Sequence, residues 1–543
     1  MSHREASARI ARVRDYHERT KHRLERYAAG PDYLDWEQQP DPFRRFEDAP
    51  LFPLPLECED LPDPCLGDLV HPPLFKALGE WGLPEISALF RYSLGLAAWK
   101  VFGPDRWALR CNPSSGNLHP TEGYFAVRGL ASLPDGLYHY APHEHALELR
   151  GEFTPTAAAE PAVLLGLSSI PWREAWKYGE RAYRYVHLDL GHAIGALAYA
   201  AAGLGATLQR VDAGESRLAA ILGLDRDGDF KDAERERPDL LLSLIPRSSP
   251  SEPPPASWWL SHCRTARWHG RANILSRHPQ HHWPVIDQVA DATPAQEGDC
   301  ERLPEPPDYP PPLAHPRHSA RQLILQRRSA QAFNGKSRLP KETFFQLLDS
   351  LLFRPDKVPW SSWPCRPRLH LLLFVHRVDD LPPGLYLLAR NAAVLPELRQ
   401  ALRGEFLWER VEGCPAHLSL HHLIRADAKR AARTLSCHQD IAASGFFSLG
   451  MLAEFDDTLA ARGARGYPEL FWEAGLIGQV LYLQAEAAGV RGTGIGCFFD
   501  DAVHETLGLK GSRFQSLYHF TVGQPKPDTR LQTLPPYQHL HRS

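Results

Sequence analysis

The chain repeats itself. "LPDGLYHY", beginning at Leu133, and "LPPGLYLL", beginning at Leu381, stand 248 residues apart, and the same step carries Gly136 onto Gly384 and Tyr138 onto Tyr386. Each is preceded by an apolar strand pattern, "YFAV" in one case and "LLLFV" in the other. Upstream, "LPEISALFRYSLGL" (83–96) is similar to "LPKETFFQLLDSLL" (339–352). Downstream, "GHAIGALAYAAAGLG" (191–205) is similar to "GLIGQVLYLQAEAAG" (475–489), two helical patterns rich in small residues and closed by Gly, a helix stop. Each half then ends in a strand, "DLLLSLIP" or "LYHFTVGQP". The order helix, strand–turn–strand, helix, strand makes each half an α+β unit. Helices with so few large side chains call for close packing against another helix. Two similar halves of one chain satisfy that most simply as an internal pseudo-dimer, so a monomer is expected.

Composition narrows the function. At 543 residues the chain exceeds a single core. A net charge of −4 gives no nucleic-acid footprint, and no apolar run reaches membrane-spanning length. The N-terminal "MSHREASARIARVRDYHERTKHRLERY" is basic without an apolar stretch and reads as a helical arm rather than a signal peptide. Nine cysteines without CxxC spacing fit reduced thiols in a cytoplasmic protein. Prolines cluster in "PRSSPSEPPPAS" (246–257) and "LPEPPDYPPPLAHP" (303–316), which read as stiff spacers. The expected organisation is an N-terminal unit at 1–248, a Pro-rich connector at 249–318 and a C-terminal unit at 319–543.

Two short stretches carry chemistry. "RCNPSSGNLHPTEGY" (110–124) crowds small hydrogen-bonding groups between prolines, and "RRS" (327–329) offers two guanidinium groups and a hydroxyl in three residues. By composition alone the first is a turn and Arg327–Arg328 a solvated charge pair. The first stretch, however, resembles the "PSxxNxQPWxF" segment of the nitroreductase-like flavoproteins, and "LQRRSAQAF" (325–333) resembles their "RRSxRxF". The "GLY" strand, "YRYVHLDLGH" (184–192) and "GTGIGCFFDD" (492–501) are similar to one branch of that family, the SagB-type dehydrogenases, which includes azoline oxidases of peptide-modifying pathways. The resemblance implies FMN and a dimer whose flavins lie at the interface and touch both subunits. Here it implies two tandem nitroreductase-like domains forming an intrachain pseudo-dimer. Arginine suits the bidentate contacts a phosphate offers, and a helix opening at the run would add its free N–H groups.

The two halves have kept different parts. The 248-residue step carries 113–117 onto "SSWPC" (361–365), where Trp363 replaces Ser115 and Cys365 replaces Asn117. Shifting "RRS" back by 256 lands on "HPP" (71–73); the nearest basic run in the first half, "FRRF" (43–46), lacks the serine. "GTGIG" (492–496) lines up with "TLQRV" (207–211), without its glycines. One composite FMN site is therefore expected. The second half would hold the phosphate through Arg327, Arg328 and Ser329, with Gln331 beside them, and back the ring with Gly494, Ile495 and Gly496. The first half would reach across with Pro113, Ser114, Ser115 and Asn117. Arg110 is expected near the pyrimidine edge and Arg530 as a further phosphate contact. The mirror site, carrying Trp363, is expected to be empty.

Asp189, His192, Tyr178, Tyr183 and Tyr185 are candidate pocket residues by family position. "HPQHHW" (278–283) has no carboxylate or cysteine at ligand spacing, so no metal is expected. No GxGxxG follows a strand, and no Ser-His-Asp signature is present. No side chain is assigned a catalytic role. The leading expectation is an FMN-dependent oxidoreductase acting through flavin N5 on a small-molecule or peptide-borne substrate. The alternatives are an NAD(P)H-dependent nitro or quinone reductase and a catalytically decayed flavin-binding or scaffold protein.

Overall fold

The computed structural model describes residues 3–58, 60–70, 74–155, 160–277, 281–298, 307–313 and 317–540. Its core is two antiparallel sheets of one topology. The first runs Ala146–Glu152, Gly136–Ala141, Thr121–Arg128, Ala162–Ser169, Arg237–Pro246, Ala206–Val211. The second runs Leu420–Arg425, Gly384–Leu388, Leu369–Val375, Phe447–Glu454, Phe514–Gly523, Arg491–Ile495. Register is shared as well. Phe125 lies opposite Tyr138 and Leu165, and Leu373 opposite Tyr386 and Leu449.

The repeated "LPxGLY" now has a physical reason. Tyr138 Oη donates to the Pro134 carbonyl at 2.7 Å, and Tyr386 Oη to that of Pro382 at 2.6 Å, each closing the turn that begins its strand. A Cβ on Gly136 would stand 2.6 Å from the Gly151 carbonyl oxygen, and one on Gly384 2.1 Å from that of Ile424. Only glycine lets the bulged neighbouring strand come so near.

Between the sheets lie two helices of 22 residues each, Ala182–Gly203 and Gly466–Ala487, buried over nearly their whole length. They cross at Gly191 and Gly475. A Cβ on Gly191 would meet the Trp472 carbonyl oxygen at 2.2 Å, and one on Gly475 that of Leu188 at 2.1 Å. The small residues expected to pack helix on helix are thus the contact between the two halves. The short helices Leu83–Arg91 and Lys341–Asp349 also correspond, two residues off the sequence alignment, because Leu339 and Pro340 precede their helix whereas Leu83 and Pro84 begin theirs.

Each end of the chain packs on the opposite half. The N-terminal arm (helix His3–Arg19) continues so that His22 N–H donates to Asp500 at 2.9 Å, and Lys21 and Arg23 pair with Asp501. The tail strand Gln532–Leu534 adds to the ribbon Leu96–Phe102/Asp105–Arg110, and Leu96 N–H donates to Tyr537 Oη at 2.8 Å. The stretch between the proline runs is not an open spacer. It forms helices Ala256–Arg264 and Pro284–Ala292, and Trp259, Ile286 and Val289 are buried. His282 pairs with Asp287, while His278 lies outside the described residues, as does 71–73. Among the described residues no helix is long and apolar enough to cross a membrane.

Candidate functional site

Strand Asp105–Arg110 leads into a loop with three left-handed residues, Gly116, Asn117 and His119 (φ 59°, 61° and 53°). Such backbone needs outside support. Asp189, on the central helix, supplies it by accepting from Ser114 Oγ (2.6 Å), Ser115 N–H (2.9 Å) and Ser115 Oγ (2.9 Å). Burial pushes the Asp189 carboxyl up to about 7, against the serine donors that pull it down. Asn117 is held within the loop, donating to the Ala108 carbonyl at 2.8 Å and bonding His119 at 3.0 Å. A Cβ on Gly116 would lie 2.7 Å from Tyr178 Oη.

The second half brings "RRS" against this loop from the end of a helix, not its start. Ser319 caps helix Ala320–Gln326, and Arg327 is its C-terminal cap, so the run gains no free helix N–H groups. Arg327 is buried and reaches across the halves. Its Nε donates to the Cys111 carbonyl and its Nη2 to that of Arg110, both at 3.2 Å. Its Nη1 finds no partner among the described residues. Ser329 Oγ bonds Tyr482 Oη at 2.8 Å, and that hydroxyl accepts from Gly494 N–H at 2.9 Å. The glycine turn faces tyrosines. A Cβ on Gly494 would be 1.8 Å from Tyr518 Oη, and one on Gly496 2.1 Å from the Tyr185 ring, so glycine is required here by protein neighbours alone.

Two chambers share Pro113, Ser114 and Ser329 as walls. The first, of about 500 Å³, is basic: Lys100, Arg110, Arg327, Arg328, Arg491 and Lys526 line it, and Asp528 is the one carboxylate among its described lining residues. Burial and then Arg327 push Arg328 down to about 10. Burial, Arg328 and Arg491 lower Lys100 as well. Cations that depress one another in a partly dry cavity are a site for an anion. The second chamber, of about 310 Å³, is lined by Tyr178, Tyr185, Tyr482 and Tyr518 with Asp189, His192 and the 493–497 turn. Both volumes are those of small-molecule sites.

The structure thus gathers Arg110, Pro113, Ser114, Asn117, Arg327, Arg328, Ser329 and Gln331 at the basic chamber, and Ser115, Gly494, Ile495 and Gly496 at the aromatic one. Arg110 faces the basic chamber, with donors given to the Pro42 and Thr121 carbonyls. Arg530 is outside: its guanidinium is solvent-exposed and paired with Asp528 at 2.7 Å. Tyr183 lies elsewhere, bonded to Thr293. His192 bonds Tyr518 Oη at 3.2 Å, and burial lowers it to about 3. Lys100, Asn112, Arg491, Lys526, Tyr482 and Tyr518 escaped the sequence reading. Arg491 directly precedes "GTGIG", a usable signal; the lysines had none.

At the position mirroring Asp189 across the helix crossing, Glu473 accepts from the Arg390 guanidinium and from Arg368 N–H. Trp363, buried, packs on Trp472 at 5.4 Å and under Arg210 at 5.2 Å.

Residues 324–524 match the model of the Nitroreductase family. A Methanocaldococcus jannaschii protein bearing a nitroreductase name is 31% identical over 100 residues, which is 16% of this chain and 50% of that protein. The chain thus spans about half the length of the curated relative it matches. A crystal structure of an Anabaena variabilis protein, also bearing a nitroreductase name, superposes on 95% of this chain and 99% of its own with a TM-score of 0.68 at 22% identity. Both halves together therefore share one known fold. An FMN-dependent nitroreductase of Clostridium difficile covers 38% of this chain and 86% of its own at 13% identity and a TM-score of 0.22.

Proposed function

We propose that the chain is an FMN-dependent oxidoreductase with one flavin site built jointly by its two halves, 1–248 and 319–543. The observation that carries this is a pair of adjacent chambers with shared walls, each lined by both halves: one has excess positive charge and an Arg327 Nη1 without a partner among the described residues, and the other is lined by four tyrosines. A phosphate would relieve the buried cations, since an unpaired buried charge costs several kcal/mol. Arg327, Arg328, Ser329, Lys100, Arg491 and Lys526 are the groups to hold it. In this reading the tyrosines would flank the ring, and the loop of Ser114 and Ser115, held by Asp189, would lie along its edge. When bound, FMN supplies reversible hydride chemistry. The chain orients the ring, and Asp189 fixes the loop beside it.

The motif resemblance supports reading the chain as SagB-type, with peptide-borne azolines or related heterocycles as its substrate. NAD(P)H-driven reduction of nitro or quinone compounds is the alternative within the same site. A flavin-free scaffold is a second reading, supported by Tyr518 and Tyr185 occupying the glycine face. Flavin released by heat and counted per polypeptide separates these. One FMN per chain, lost in Arg328→Ala, supports the composite site. Two would require a working mirror site. None, even after reconstitution, leaves the scaffold reading. Turnover with NAD(P)H and acceptors, against oxidation of azoline peptides, then divides the enzyme readings.

A further inference from the structure

Two cysteines meet at the end of the aromatic chamber. Cys497 follows the glycine turn and lines the chamber, partly exposed. Cys437 lies in the loop between helices Lys429–Leu435 and Ile441–Ser444, also partly exposed. Phe499 N–H donates to the Leu435 carbonyl at 2.9 Å, which sets the two segments side by side. Cys437 lies two residues after Leu435 and Cys497 two before Phe499, so this bond brings both cysteines to the same end of the chamber. Gln439 Nε2 closes the pairing by donating to the Cys497 carbonyl at 3.3 Å. The Cys437 side chain bonds that of Cys497 directly. Cys437 and His438 both have left-handed backbone (φ 52° and 59°), although neither is a residue that favours it by absence of Cβ.

The surroundings favour a thiolate on Cys497. The hydrogen bond with Cys437 is the largest influence lowering its pKa, and His22 and Arg181 act in the same direction against burial. His22 comes from the N-terminal arm. Its Nδ1 accepts from Ala28 N–H at 2.9 Å, so its Nε2 carries the proton and points the donor at Cys497. Burial keeps His22 itself below its ordinary value, so this donor is a neutral imidazole. Arg181, buried and tied to Asp500 at 3.0 Å and to the Gly496 carbonyl at 3.4 Å, supplies the fixed positive charge.

We propose that Cys437 and Cys497 form a two-electron thiol site, opening on the aromatic chamber, that hydrogen peroxide oxidises to a disulfide. The Cys497 thiolate attacks one peroxide oxygen, the O–O bond breaks, and the departing hydroxide takes a proton to become water. Cys497 is left as a sulfenic acid. The Cys437 sulfur then attacks the Cys497 sulfur; the S–S bond forms, the S–O bond breaks, and the Cys437 proton leaves with a second water. Two thiols lose two electrons and the peroxide gains them. The bridge would pin the 436–440 loop to the wall carrying Gly494 and Gly496. The site uses no flavin and does not rest on the proposed cofactor.

The full chain, reduced, desalted and treated with a few equivalents of hydrogen peroxide, is alkylated, digested with trypsin and read by mass spectrometry. The expected product joins peptides 434–462 and 492–510, with two thiols lost per chain and restored by dithiothreitol. Cys437→Ser should leave a dimedone-reactive sulfenic acid at Cys497, and Cys497→Ser should abolish both products. His22→Ala should move the midpoint of the pH profile for iodoacetamide alkylation of Cys497 upward, because a donor that favours the thiolate is lost. Buried Cys58, Cys111 and Cys263 are internal controls. Absence of the joined peptide in the folded wild-type chain, or thiol loss spread over other cysteines, overturns the proposal whether or not the chain carries flavin.

Discussion

Gly191 offers a direct test of what holds the halves together. Adding one methyl there puts a carbon 2.2 Å from the Trp472 carbonyl oxygen and 2.9 Å from the Gly475 Cα, both backbone atoms of the facing helix. Neither can rotate away. To restore ordinary contact the helices must part by about 1 Å locally, a gap that forfeits a quarter to a half of the dispersion energy of the atoms it separates. Overpacking of this kind costs about 1–3 kcal/mol and sometimes more, while Gly→Ala returns about 1 kcal/mol of helix propensity. Gly191→Ala should therefore lose about 2 kcal/mol net, taken near the upper end because backbone meets backbone. The same helix holds its own controls. A Cβ on Gly195 meets only the movable side chains of Gln479 and Leu476 at 2.9 Å, and one on Gly203 meets nothing within 4 Å. Gly195→Ala should fall between the extremes, and Gly203→Ala should be neutral or stabilised by up to about 1 kcal/mol. Guanidinium unfolding followed by tryptophan fluorescence, with Trp472 at the crossing, gives the ranking. A midpoint for Gly191→Ala at or above that of Gly203→Ala would refute the close crossing.

Three further outcomes follow from the structure. Arg328→Ala should weaken flavin retention at least tenfold by equilibrium dialysis while leaving the melting temperature near wild type, because its donors go to local carbonyls and one across at Ala97. Tyr138→Phe and Tyr386→Phe should each cost about 0.5–1.5 kcal/mol, the worth of one hydrogen bond, and by similar amounts because each hydroxyl closes an equivalent turn. Burial alone would lower His139, but its bonds to Glu122 and Glu148 raise it to about 9. Its stabilising contribution is therefore complete below pH 6.5 and is lost as pH rises through about 9. Wild type should lose melting temperature across that window, and His139→Gln should start lower and run flatter.

Legibility in the sequence tracked locality. The "LPxGLY" turns and the small-residue helices could be read because each is a local pattern with one cause. Strands Ala162–Ser169 and Phe447–Glu454 went unread: all eight residues of each are buried, so no alternation marks them. "RRS" invited a helix start, yet Ser319 was already the cap, one helix earlier. The connector's prolines masked the apolar "WWL" within helix Ala256–Arg264. In the site, the loop and "RRS" were found as motifs, whereas Lys100 and Lys526 arrive singly from a strand and from the tail. Arg530 was misplaced because a tail arginine resembles a phosphate contact until Asp528 is seen beside it.

The exchanged ends of the chain set an order of assembly. Lys526, Asp528, Leu531 and Thr533 wall the basic chamber, and Gln532–Leu534 is the outer strand of the ribbon that leads into the 110–119 loop. All of them follow Gly523, the last residue of either main sheet. During synthesis both sheets can be complete while the chamber still lacks a wall. A polypeptide released early would keep its bulk and lack one wall of the basic chamber, so that chamber is complete only once translation has run past Thr533.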